Sequence, residues 1–162
     1  MSKKIRLDQA QLVRGSRYPA PYDAPCRERM RYRLGDVAGL SQFGVNFTRL
    51  PPGGWSSQRH WHQREDEFVY VIEGELVLVT DEGEERLSAG DCVAFKAGVA
   101  DGHHLKNESN REAVFLEIGS RAGDEEVVEY PDIDLRVESG RWQHRDGTEY
   151  GAEPPRLVKP TR

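Results

Sequence analysis

The sequence predicts an all-β fold, a small sandwich or barrel. Eight or nine short extended segments recur along the chain between turn signals. Sixteen glycines and nine prolines punctuate the whole length, so turn chemistry separates the segments. No stretch sustains a 3.6-residue apolar period, so helix is expected to be scarce.

Taken in order, residues 1–26 end in YPAPYDAP and read as an extended N-terminal arm, draped on the body or on a second subunit. Residues 27–130 carry the strand candidates, at 28–34, 43–50, 56–62, 67–73, 75–80, 92–95, 103–107, 113–119 and 125–130. GD at 35–36, PPGG at 51–54, DEGEE at 81–85, AGD at 89–91 and AG at 97–98 supply the turns. The acidic run at 81–85 is expected to be a solvated turn. ELVLVT at 75–80 is continuously apolar, as in a strand buried on both faces. Residues 131–162 read as an irregular C-terminal tail. Ile133, Leu135 and Trp142 are expected to pack on the barrel, and about the last ten residues to be loose.

The 162 residues fit one ordinary domain, and a net charge of -5 offers no basic excess for nucleic acid. No apolar run is long enough for a transmembrane helix, and the N-terminus has no secretory h-region. Cys26 and Cys92 form no CxxC pattern. They are read as reduced thiols of a cytoplasmic protein, with Cys92 a small core residue inside CVAF.

GWSSQRHWHQREDEFVYVIEG, residues 54–74, carries the chemistry. On a strand, His60 and His62 share one face and Trp61 takes the other. If QRED turns the chain, Glu67 opens the neighbouring strand beside both imidazoles. Two nitrogens and a carboxylate suit a divalent transition metal. Ser56 and Gln58 share the histidine face. Val69 and Val71 share that of Glu67 as an apolar wall. Downstream, His103 and His104 point to opposite faces of HHLKN, so at most one joins a common site. His144, alone in a polar tail, reads as solvated. Arg59, Trp61, Phe68, Tyr70 and Ile72 face outward, and outward aromatics need cover.

These residues resemble the cupin superfamily. Its first motif, G-x5-H-x-H-x4-E-x6-G, is filled by Gly54, His60, His62, Glu67 and Gly74 with every spacing kept. Its second, G-x5-P-x-G-x2-H-x3-N, is matched by Gly90, Gly98, His103 and Asn107. There Lys96 replaces the proline, and four residues rather than two separate Gly98 from the histidine. The gap to Asn107 selects His103 as the fourth ligand. The resemblance implies a double-stranded β-helix, a jelly-roll barrel holding one divalent metal (zinc, manganese, iron, nickel or copper) on His60, His62, Glu67 and His103. Asn107 reads as a turn residue, and His104 is expected to hydrogen-bond backbone or water.

The expected function is a metal-dependent enzyme on a small oxygenated substrate, of sugar or sugar-phosphate isomerase type, similar to the metal domain of mannose-6-phosphate isomerases. Two alternatives are an iron dioxygenase and a non-catalytic small-molecule-binding cupin; no general base is evident. The outward aromatics and the arm point to a homodimer, a habit the family shares.

Overall fold

The computed structural model describes residues 4–151. The N-terminal segment enters through β1 (Leu12–Arg14) and leads to β2 (Met30–Arg33) and a single helical turn, α1 (Leu34–Val37). There follow β3 (Phe43–Leu50), β4 (Trp61–His62), β5 (Glu67–Glu73), β6 (Glu75–Thr80), β7 (Gly83–Ser88) and β8 (Cys92–Phe95). The chain continues through β9 (His104–Lys106), β10 (Ala113–Ser120), β11 (Val127–Tyr130), β12 (Leu135–Glu138) and β13 (Arg141–Gln143).

All pairings are antiparallel and make three sheets. The largest runs β1-β2-β3-β10-β5-β8, a second runs β13-β12-β11-β4 and a third runs β7-β6-β9. Non-sequential neighbours in the sheets are the mark of a jelly roll. The expected all-β fold is therefore present.

The alternation of each strand sorts its residues. Inward from the large sheet point Leu50, Val69, Val71 and Phe115, which meet Leu76, Leu78, Leu87 and Leu105 of the third sheet in the main core. A second core joins the N-terminal segment to the second sheet through Tyr18, Cys26, Val128, Tyr130 and Leu135. Gly74, the last residue of the first motif, turns β5 into β6 at φ +82°. A Cβ there would come within 2.8 Å of the Glu112 carbonyl, so glycine is required on both counts.

Four local expectations are corrected. Residues 56–62 do not form one strand: only Trp61–His62 is regular, with isolated bridges at Trp55 and His60. Ser56 Oγ accepts the Leu105 N–H, and Gln58 Nε2 donates to the Tyr22 carbonyl, so side chains take over from the ladder. Residues 83–88, partly assigned to a solvated turn, are β7. Only its Leu87 is buried, so the strand carries little apolar pattern. Residues 135–143 of the tail are not irregular, since β12 and β13 extend the sheet from β11, with Leu135 fully buried and Trp142 against the second core. Cys92 is exposed on the outer face of β8, because Val93 and Phe95 take the inward positions of CVAF. The expected loose last residues lie outside the described residues.

Candidate metal centre

The site lies where the large and second sheets meet. His60 and His103 face one another across a two-hydrogen-bond bridge (His60 N to His103 O 3.1 Å, His103 N to His60 O 2.9 Å). His62 ends β4, paired with Val128 of β11. Glu67 opens β5, between Gly119 of β10 and Phe95 of β8. The Phe95 ring stacks on His103 at 3.4 Å between centroids, and Tyr130 stacks over His60 at 5.7 Å.

The four side chains meet at Glu67 Oε2. His103 Nε2 lies 2.8 Å from it, His62 Nε2 3.5 Å and His60 Nε2 3.6 Å. The candidate ligand atoms of His60, His62 and Glu67 all fall within 4.8 Å of one another. Cis ligands held ~2.1 Å from an ion stand ~3 Å apart, and the 2.8–3.6 Å separations from Glu67 Oε2 are of that size. The tautomers fit as well. His60 Nδ1 donates to the Gln58 carbonyl at 2.9 Å, which leaves its Nε2 lone pair facing the centre. His103 Nδ1 lies 3.4 Å from the Asp101 carbonyl, where its proton would sit when Nε2 binds a metal.

Burial, opposed by the Glu67 charge, pushes His60 down to about 3, so this ring is neutral and needs no deprotonation to bind. Burial alone would raise the Glu67 carboxyl. The hydrogen bond with His103 and the surrounding imidazoles outweigh it and hold that carboxyl well below the usual range.

His104 points away from this centre. Its Nδ1 donates to the Ser57 carbonyl at 3.0 Å and its ring meets Trp55 edge-on at 4.7 Å. Asn107 is fully buried and pins the loop after β9 by donating to the carbonyls of Leu50 and Arg111, both at 2.7 Å. Ser56 and Gln58 are spent on backbone partners, as described. Arg59 is engaged outside by Asp81 and Asp132. His144 pairs with Asp134 at 2.8 Å, far along the tail hairpin.

Sequence reasoning missed two groups of residues. Glu126 is buried just before β11 and accepts the backbone N–H groups of Gln63 (3.0 Å) and Arg64 (3.2 Å). Its Oε1 lies 3.4 Å from His62 Nδ1, and Glu65 stands 3.9 Å from the same nitrogen. His62 thus faces one local carboxylate, Glu65, and a second, Glu126, brought from a distant segment that nothing local signals. The other group is Glu117, inward on β10 beside Val69. Arg31 forms an ion pair with it, Nε at 2.8 Å and Nη2 donating at 2.9 Å, and Thr48 donates to it at 2.9 Å. An acid inside VFLEIG was a legible signal, since an inward charge interrupts an apolar strand. A cavity of about 560 Å³ opens from the ligand cluster past Glu117 and Arg31 to the N-terminal segment.

Comparison with known proteins agrees with this geometry. Residues 46–119 match the family model for a cupin domain. The chain is 43% identical to a sugar phosphate isomerase from a cupin superfamily of Silicibacter pomeroyi, over 93% of this chain and 98% of that one, with a TM-score of 0.85. The chain belongs to the cupin superfamily. A second relative is a candidate sugar phosphate isomerase of Acidithiobacillus ferrooxidans, 30% identical over 80% of this chain and 82% of that one, TM-score 0.70. The polyketide cyclase RemF of Streptomyces resistomycificus shares the fold at 19% identity and TM-score 0.64, over 86% and 90% of the two chains. No protein of curated function matches this cupin.

Proposed function

We propose that this cupin is a metal-dependent isomerase of a sugar or sugar phosphate, with His60, His62, Glu67 and His103 as the ligands of one divalent ion. The observation that carries the reading is the convergence of three Nε2 atoms on Glu67 Oε2 at the inner end of a substrate-sized cavity. The near full-length likeness to a sugar phosphate isomerase supports the substrate class.

A bound divalent metal would polarise a carbonyl and the adjacent hydroxyl, which favours proton transfer through an enediol. The chain's own residues do the rest. His60 and His103 are held in register by their backbone bridge, and Glu126 backs His62. Glu117 is assigned the proton transfer. It lines the cavity outside the ligand set, and Arg31 and Thr48 hold its carboxylate in one orientation. Val69 and Phe95 keep the inner wall apolar.

The reading also includes a homodimer. The outer face of the large sheet carries Phe68, Tyr70 and Ile72, which are 38–42% exposed. Beside them in register lie Leu116, Ile118 and Phe47. A contiguous apolar sheet face of this kind is what a second copy would cover.

The test is metal analysis of the protein as purified, followed by turnover of a panel of aldose and ketose phosphates. Bound zinc or manganese with interconversion is expected. Native iron with oxygen uptake, or bound metal with no turnover, would replace the isomerase with a dioxygenase or a binding protein.

A further inference from the structure

The cavity is unevenly charged. Five guanidiniums line it against three carboxylates, in a chain whose net charge is -5. Most of these cations are committed. Arg31 is tied to Glu117, and Arg33 and Arg121 share Asp36 at 2.6 and 2.7 Å. Two have no acidic partner among the described residues. Arg29 is 94% buried, donates to the carbonyls of Gly15 and Ser56, and leaves its buried Nε without a partner. Arg17 is exposed and lines the cavity, and it makes no hydrogen bond or ion pair among the described residues.

Both belong to one feature. The Gly15 carbonyl rests on Arg29 Nη2 at 2.8 Å, and the Gly15 N–H returns to the Arg29 carbonyl at 2.8 Å. This clamp fixes the turn Gly15–Ser16–Arg17–Tyr18 against the cavity, and Tyr18 anchors it in the second core. Gly15 holds φ +79°, and a Cβ there would come within 3.3 Å of the Arg27 carbonyl. Burying the Arg29 guanidinium costs desolvation energy, and neighbouring Arg31 adds like-charge repulsion, opposed by the attraction of Glu117. An anionic ligand would relieve both.

We propose that this N-terminal turn is the anion-binding wall of the cavity, with Arg17 pairing the phosphate of the substrate and Arg29 adding to the field beneath it. The assignment rests on the cavity being the substrate site and makes the N-terminal segment part of the site. Planar guanidinium donors suit the three oxygens of a phosphomonoester.

The test is titration of the full-length, metal-loaded protein with inorganic phosphate, repeated in chelator so that metal-bound phosphate is separated out. Arg17→Gln is expected to weaken phosphate binding about tenfold, the size of one charge-assisted hydrogen bond. Arg17→Lys is expected to keep much of the binding, and Arg86→Gln on the remote β7 to change nothing. Because Arg17 makes no described contact, its replacement should leave the melting temperature unchanged, which separates binding from folding. Equal phosphate affinity in wild type and Arg17→Gln, or no phosphate binding in chelator by either, overturns the proposal. The isomerase reading fails separately. Arg17-dependent binding of sugar phosphates without turnover would sink the isomerase and leave the anion wall standing. Turnover with an unchanged KM in Arg17→Gln would do the reverse. A neutral sugar and a sugar acid complete the series: loss confined to the phosphate ester is expected, and loss confined to the sugar acid would make the wall a carboxylate site.

Discussion

His103 and His104 are adjacent, both at most 5% exposed, and face opposite ways, so their alanine variants should fail differently. His103 Nε2 is one of three nitrogens around Glu67 Oε2, so His103→Ala removes one of four candidate ligands. Loss even of a group that only supports a ligand typically costs 10–100-fold in metal affinity, so tenfold is a lower bound here. His104→Ala instead strips the Ser57 carbonyl of its partner inside the protein and deletes the edge contact with Trp55. A buried acceptor left unsatisfied costs about 1–3 kcal/mol. In a domain of this size that corresponds to a fall in melting temperature of about 2–12 °C. The assay is metal content after identical purification, together with thermal unfolding in chelator. His103→Ala is expected to lose metal, and in chelator it also melts below the wild type, because the Phe95 stack and the partner of Glu67 are deleted. His104→Ala is expected to keep metal and melt early. Metal retained by the His103 variant and lost by the His104 variant would refute the register.

Glu126→Gln keeps the shape but withdraws the charge beside His62 Nδ1, and a 10–100-fold loss of metal affinity, read by competition with a chromophoric chelator, is expected. Glu117→Gln should lower kcat by 10²–10⁴-fold while metal content holds; an unchanged kcat would remove Glu117 from proton transfer. Burial lowers folded His104 from 6.5 to about 4, so the fold keeps the neutral ring. Stability from this group is therefore full above pH 6.5 and is lost as pH falls toward 4, by about 1.4 kcal/mol per pH unit, and denaturant unfolding of His104→Asn should show that slope flattened. Tyr70→Glu places a charge on the outer apolar face and should yield a monomer by light scattering, with the wild type at twice that mass.

The sequence by itself determined the fold class and the grouping of four side chains. Period-two alternation places His60 and His62 on one face, and the fixed gap to Glu67 spans one turn, so that part of the cluster is local geometry. The glycine at 74 was legible for the same reason, as the backbone there admits nothing larger. The irregularity of 56–60 was not legible, because strand and bridge share the same alternation, and only Leu105 and Tyr22 supply the competing partners. The tail hairpin and β7 escaped notice because a strand with a single buried residue has no apolar period to read. Tertiary structure alone decided the surroundings of the centre. Glu126 reaches His62 from 64 positions along the chain, and Glu117 meets Arg31 from 86, and non-local pairs of charges leave no trace in spacing. The N-terminal turn is the extreme case. Proline content suggested an extended segment, yet YPAPYDAP ends in turns and the 3-10 helix Ala24–Cys26, and the Arg29 clamp with the Tyr18 anchor brings Arg17 to the cavity, because where a polar segment comes to rest is set by the partners it finds there.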